Sequence, residues 1–310
     1  MKKLSKGRIA AVVTAATLAA VSIALIILNI FIPVKYLSSY FVSGSRAESG
    51  VMRVSFLDVG YGDCTIIELP DGKNMLMDAG DGSRAHTAKI LKTLNERKIK
   101  KIDFLLCTSV NAEHCGGLFE ILKYKKVDKV YLPYCDKNIT EQFEKFSLAA
   151  ENCERAVIEY GAGESGDGWY FKALSPSVVS NPYGEYAELE KNPLSQSARN
   201  NASAVIWLEY AGTSFLFAGD VEKPVLDGIC KTYSVIGSDY PVKLETCNIF
   251  KAAGHGSEKS FCAPFNELIK PEITIISTDG RLTADYGNVK RTDNGTFVIE
   301  VTADGYKEIT

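Results

Sequence analysis

An uncharged run, IAAVVTAATLAAVSIALIILNIFIPV from Ile9 to Val34, stands directly behind the four cations of MKKLSKGR. A helix needs about 20 apolar residues to cross a hydrocarbon layer, and this run is long enough. A cleavable signal has a shorter apolar core, roughly 7–15 residues, closed by small residues. Here the run ends bulky, in LNIFIPVKY. Residues 1–40 therefore read as an uncleaved, single-pass transmembrane anchor in the cell membrane. The leading cations keep the N-terminus cytoplasmic, so the rest of the chain is expected outside. Residues 41–52, FVSGSRAESGVM, are small and polar and read as a linker; 53–310 read as one folded domain.

Within that domain the pattern is strand-like first. VSFLDVG and CTIIEL precede a PDGK turn and NMLMDAG. Pro sets φ and Gly accepts positive φ, so PDG between two apolar runs is a turn with a mechanism. AHTAKILKTLNERK places Ala85, Ala88, Leu91 and Leu94 on one helix face. KIDFLLCTS, KVYLP, AVIWLEY, SFLFAGD, NIFKAAGHGS, ITIISTDG and TFVIEVT read as strands. GGLFEILKYKK, TEQFEKFSLAAENC and APFNELIKP read as helices. Residues 161–201, rich in Gly, Ser, Asn and Pro, read as irregular structure around short strands such as WYFKALSP. Mixed strands and helices of this kind suit an α+β fold, two packed sheets with helices outside.

The net charge of −3 argues against a nucleic-acid binder driven by bulk charge, and leaves a local basic surface open. Eight cysteines with no CxxC match no zinc ribbon. Cys64, Cys107 and Cys247 sit in apolar strands, where cysteine serves as a small buried hydrophobe. Most are expected as buried thiols, with one or two disulfides open.

The chemistry gathers at strand ends. TSVNAEHCGG (108–117) carries Glu113-His114, FLFAGD ends at Asp220, and AAGHGS centres on His255. Carboxylate and imidazole ligands suit zinc, manganese or iron, and loops on a rigid sheet converge readily on one point. A bound divalent ion lowers the pKa of its water to about 7 and polarises a phosphoryl or carbonyl oxygen. Each residue also has an ordinary role. His114 suits a bond to a backbone carbonyl, Asp220 a helix cap, and His255 a polar turn. His86 is given no function, and the Gly-x-Gly of DVGYGD (58–63) is a weak signal by itself.

Taken together, these segments carry a family resemblance. VSFLDVGYGDCTIIELPDGKNMLMDAGDG resembles the opening of the metallo-β-lactamase-like domain of the ComEC family of DNA-uptake competence proteins. KIKKIDFLLCTSVNAEHCGGL is similar to a family segment in which His-x-His-x-Asp-His-x-Gly-Gly follows a strand. NNASAVIWLEYAGTSFLFAGDVE, FKAAGHGSEKS and VKRTDNGTFVIE match later segments in the same order, so that the resemblance covers roughly residues 52–302. It implies a metallo-β-lactamase-like αββα sandwich with a metal site at one edge, between its two halves.

Position by position, the first two family histidines are Ser109 and Asn111 here, and the family aspartate is Glu113. The third histidine is kept as His114, and the aspartate as Asp220. In the His-His-Gly-Ser segment Gly254 replaces the first histidine and His255 is kept. The resemblance thus implies loss of one metal position and survival of another, held by Glu113, His114, Asp220 and His255. Four ligands suffice for one ion, either Zn or Mn, with a metal-free domain as the alternative. Glu113 is also expected to share proton work. It is about 1.5 Å longer than Asp, a displacement worth on the order of a hundredfold in rate.

The expected function is a metal-dependent hydrolase of phosphodiesters, nucleic acid among them, anchored by its N-terminal helix. A second reading is an inactive binding module for DNA, cell wall or a membrane protein; a third is an extracellular fold without a ligand. The sequence leaves oligomeric state and substrate open.

Overall fold

Apolar residues alternate between two buried faces along the strands, and this alternation decides the architecture. In the computed structural model, which describes residues 6–31, 34–135, 139–281 and 283–309, Ile66 and Leu76 face one apolar layer. Their neighbours Ile67, Met75 and Met77 face another. Along Val205–Tyr210, Ile206 and Leu208 point into that second layer, while Val205 and Trp207 point into a third. Successive strand side chains point to opposite faces, so strands apolar on both faces need a covering layer on each side.

Among the described residues the first sheet has eight strands. In spatial order they are Gly305–Ile309, Phe297–Thr302, Met52–Phe56, Thr65–Glu68, Asn74–Met77, Lys101–Leu106, Lys126–Leu132 and Glu154–Val157. The second has seven: Val289–Arg291, Ile273–Ile276, Ile249–Lys251, Thr213–Phe217, Val205–Tyr210, Trp169–Ser175 and Gly163–Ser165. The two inner faces meet over Val54, Phe56, Phe171, Phe215 and Phe217. Helices Arg84–Glu96 and Glu141–Ala149 cover the outer face of the first sheet through Leu91, Leu94, Phe143 and Phe146. Lys223–Ile236 and Ala263–Ile269 cover the second through Leu226, Ile229 and Phe265. This is the expected α+β sandwich.

Asn74–Met77 runs parallel to Lys101–Leu106, and Thr213–Phe217 parallel to Ile249–Lys251. Met52–Phe56 shares the direction of Asn74–Met77, because each is antiparallel to Thr65–Glu68 between them. The C-terminal ends of these strands deliver the site residues. At the PDGK turn Gly72 has φ +85° and Leu69 N–H donates to the Lys73 carbonyl at 2.9 Å.

One helix, Lys6–Phe31, contains a stretch, Lys6–Leu28, long and apolar enough to cross a membrane, and none of its most apolar window is buried against the domain. Residues 1–5 and 32–33 of the expected anchor, and Leu282 in the loop 281–288, lie outside the described residues. The turn Val34–Tyr40 docks on the sandwich: Tyr36 lies in the first apolar layer, and Asn95 donates its amide to the Ser39 carbonyl at 2.9 Å.

One local expectation is corrected. Residues 161–201 hold the helices Glu185–Lys191 and Gln196–Asn201 besides short strands. Fewer than two full turns each, they are too short to show a helical period. No disulfide links the eight cysteines; Cys64, Cys107, Cys115, Cys247 and Cys262 are buried thiols.

Candidate metal centre

Asp78 follows Asn74–Met77 with φ 59°, and its carboxylate accepts the Thr108 N–H at 2.7 Å and the Thr108 hydroxyl at 2.5 Å. The same carboxylate contacts His114 Nδ1 at 2.8 Å. A carboxylate on one ring nitrogen fixes imidazole orientation and leaves the other nitrogen for a ligand role. His114 rides on the single helical turn Ala112–Cys115. Glycine is required just behind it: a Cβ at Gly117 would lie 2.2 Å from the Ala79 carbonyl oxygen, and one at Gly116 2.4 Å from the Asp81 backbone.

Asp220 leaves the end of Thr213–Phe217, and its Oδ1 lies 3.0 Å from His114 Nε2 and 3.3 Å from His255 Nε2. His255 follows Ile249–Lys251 on a left-handed bend in which Gly254 has φ 53° and His255 itself φ 56°. Its Nδ1 stands 3.4 Å from Asp63 Oδ1. Asp63, beyond Met52–Phe56, is held by its own N–H donating to the Glu113 carbonyl at 3.1 Å. All five side chains, Asp63, Asp78, His114, Asp220 and His255, are buried.

Among the described residues, two sets of atoms are close enough to share an ion: His114, Asp220 and His255, and Asp63, Asp78 and His114. His114 Nε2 and both ring nitrogens of His255 are buried and face carboxylate oxygens at 3.0, 3.3 and 3.4 Å without hydrogen-bond geometry, an arrangement that costs free energy unless something fills it. Zinc–ligand bonds of about 2.0–2.2 Å put tetrahedral neighbours roughly 3.3 Å apart, which agrees with the 3.0 and 3.3 Å measured around Asp220 Oδ1. The first set fits a divalent cation.

Without an ion, the same carboxylates and imidazoles hold one another's charge. Burial by itself raises the Asp220 carboxyl, but His114 and His255 outweigh it and hold Asp220 well below the usual carboxylate range. Asp63 is likewise held low, against burial, by Lys251 and His255. Burial opposes charge on His114 and His255, yet the facing carboxylates raise both. Lys251, itself buried, contacts Asp63 Oδ1 at 2.8 Å and donates to the Ala252 carbonyl at 3.2 Å.

The positions where the family resemblance implies histidines are filled. Ser109 is fully buried, and its hydroxyl accepts the Asn111 N–H at 3.3 Å. Asn111 donates to Asp220 Oδ2 at 2.7 Å and to Asn200 Oδ1 at 2.9 Å, and its own oxygen accepts Arg199 Nε at 3.2 Å. A Cβ at Gly254 would stand 2.2 Å from Ser260 Oγ. Glu113 is half-buried, and neither set includes its carboxylate. At the mouth the Tyr61 ring packs on His255 at 4.2 Å, with the Arg281 guanidinium 3.9 Å above Tyr61.

The model of the Metallo-beta-lactamase superfamily matches residues 57–281. The chain belongs to this superfamily. It is 25% identical over 240 residues to ComE operon protein 3 of Bacillus subtilis, covering 72% of this chain and 28% of that protein. The chain therefore spans little more than a quarter of that relative's length. Among solved structures it is similar to the metallo-beta-lactamase fold protein YhfI of Bacillus subtilis, with a TM-score of 0.49 and 11% identity over 80% of this chain and 99% of that one. A putative metal-dependent hydrolase from Parabacteroides distasonis gives a TM-score of 0.43 and 13% identity over 78% and 94%.

The superfamily scaffold here uses more residues than sequence reasoning named. Asp63 and Asp78 end in the same Asp-next-to-Gly strand termini, GYGD and DAGDG, that drew attention to Asp220, so that signal was present. Lys251 also had one, a lone cation inside the apolar NIFKAA. Tyr61 and Arg281 had none, because their stack joins loops from opposite ends of the domain.

Proposed function

We propose that this chain is a membrane-anchored, single-metal hydrolase acting on phosphodiesters outside the cytoplasm. The observation that carries the reading is the convergence of His114 Nε2, Asp220 Oδ1 and His255 Nε2, with buried imidazole nitrogens that face carboxylate oxygens without hydrogen-bond geometry. These three residues would hold one Zn or Mn ion, which when bound supplies charge stabilisation and a water of lowered pKa. Asp78 orients His114, Asn111 orients Asp220, and Asp63 faces the second nitrogen of His255. Glu113, half-buried beside the cluster, is assigned to proton transfer at its rim. The Arg281–Tyr61 stack gives the mouth a cation for an anionic substrate. The anchor is the helix Lys6–Phe31, and the cations ahead of it favour an outward-facing domain. Nucleic acid is the polymeric phosphodiester that the resemblance to DNA-uptake competence proteins favours.

A second reading, an inactive binding module, is favoured by Lys251. Its ammonium against Asp63 supplies an internal cation that stabilises the carboxylates without a metal.

The test is metal content and hydrolysis of bis(p-nitrophenyl) phosphate by the full chain in detergent. About one Zn or Mn per chain, and turnover abolished in Asp220→Asn and His255→Ala, supports the enzyme. A folded chain that takes up no ion and stays inert with added metal supports the binding module. A reporter fused after Thr310 and active only outside the cytoplasm checks the orientation.

A further inference from the structure

A cavity of about 760 Å³ opens between the helix pair of residues 185–201 and the N-terminal half of Lys223–Ile236. None of Asp63, Asp78, His114, Asp220 or His255 lines it. Its size falls in the range of small-molecule sites, roughly 300–1,000 Å³. Val225 and Ile229 give it an apolar floor. Three tyrosines surround the space: Tyr240 is buried, Tyr160 partly exposed, and Tyr183 stands 93% exposed at the rim.

The charge of the wall narrows the occupant. The charged lining residues are Glu185 and Glu188, with no lysine or arginine among the described residues that form the wall. Glu185 is tied down by Ser177, whose N–H donates to it at 2.9 Å. Glu188 lies on the exposed side of the same helix.

We propose that this cavity binds a small organic cation, an amine with an aromatic or aliphatic body. The body fills the apolar floor, and the ammonium sits beside the tyrosines and the carboxylates. Aromatic faces attract cations, and two carboxylates without a counter-cation select against anions. The wall helix Gln196–Asn201 turns Ala198 and Asn201 to the cavity, while Arg199 and Asn200 reach Asn111 at the metal centre.

Binding is tested on the full chain in detergent with three probes of one shape: phenethylammonium, 2-phenylethanol and 3-phenylpropionate. Ligand-detected NMR should show saturable binding of phenethylammonium, about tenfold tighter than the alcohol and tighter still than the carboxylate. Glu188→Gln should narrow the preference for the ammonium over the alcohol. Gly228 lines the cavity, and a Cβ added there meets nothing within 4 Å. Gly228→Trp should therefore fill the space without unfolding the chain, weakening phenethylammonium tenfold or more with the thermal midpoint kept. No saturable binding of any probe, equal affinity for all three, or binding indifferent to Gly228→Trp would each overturn the proposal. None of these readouts depends on hydrolysis or on metal content.

Discussion

Asn111 donates its side-chain amide to Asp220 Oδ2 at 2.7 Å, on the side of the carboxylate facing away from His114 and His255. An amide donor thus occupies the place where the family resemblance implies a histidine ligand. It fixes the Asp220 rotamer and neutralises one lone-pair direction without bringing a second ion. Asn111→Ala should weaken Zn binding by about 10–100-fold, the usual range for losing an orienting partner. It should also destabilise the fold by about 1–3 kcal/mol, because Oδ2 loses its donor. Competition with a chelating dye gives the first quantity and thermal unfolding the second. Unchanged affinity would show that Asn111 only fills space.

Restoring the two histidines should not restore a second ion. Ser109 is fully buried, and Asn111 is held by Asn200 and Arg199. A Ser109→His/Asn111→His double variant must displace packed neighbours, an overpacking cost of typically 1–3 kcal/mol. Elemental analysis is expected to find no more than one ion per chain and a lowered thermal midpoint. Two tightly held ions would mean that the site re-forms with little resistance.

The fold was legible because it is written in alternation. Ile66/Ile67 and Ile206/Trp207 each divide between two apolar layers, and the sequence shows the runs that make this possible. Asp220 and His255 were legible as polar residues beside glycine at strand ends, and His114 as half of an acidic-His pair just ahead of Gly116-Gly117. Other features had no local trace. The Arg281–Tyr61 contact is a tertiary event, and Gln196–Asn201 is too short to display a period. Glu113 shows a limit of another kind. Alignment with a family aspartate fixes its place on the chain, whereas the turn Ala112–Cys115 decides where its longer side chain goes.

Gly254 should tolerate no side chain. Its φ of 53° lies in the left-handed region, and a Cβ there would meet Ser260 Oγ at 2.2 Å. Residues forced into such backbone cost on the order of 1–3 kcal/mol. Gly254→Ala should lower stability by that amount and displace His255, the next residue, so that Zn affinity drops as well. Paired with Ser260→Gly, which removes the closest clash and leaves the strained φ and Ser257 Oγ at 3.0 Å, it should recover only part of the loss. Full recovery would assign the whole effect to the contact.

Lys125 gives a pH signature that the metal does not enter. Its ammonium donates to Asn95 Oδ1 and the Ile99 carbonyl, each at 2.7 Å, and burial pushes it down to about 8 from 10.5. The folded state therefore releases this proton before the unfolded state does. Below about pH 8 both states are charged and the burial penalty is felt in full; between about 8 and 10.5 stability rises as the penalty disappears. Relative to Lys125→Gln, which keeps an N–H donor, the wild-type chain should gain on the order of 3 kcal/mol across that window. Urea unfolding at several pH values checks the slope, and parallel profiles for the two proteins would refute it.

Lys251 separates a resident internal cation from a metal. Its ammonium lies 2.8 Å from Asp63 Oδ1, both groups are buried, and His255 Nδ1 stands 3.4 Å from the same oxygen. Removing one partner of a buried pair leaves a bare charge, at a cost of about 3–5 kcal/mol. Lys251→Met should therefore melt well below the wild type when both are stripped with chelator. A divalent ion bound near His255 would then meet an unneutralised Asp63, so Zn should raise the melting midpoint of the variant more than that of the wild type, as tighter binding to the folded state requires. Equal Zn-induced shifts in the two proteins would confine Lys251 to a packing role and leave Asp63 outside the metal's reach.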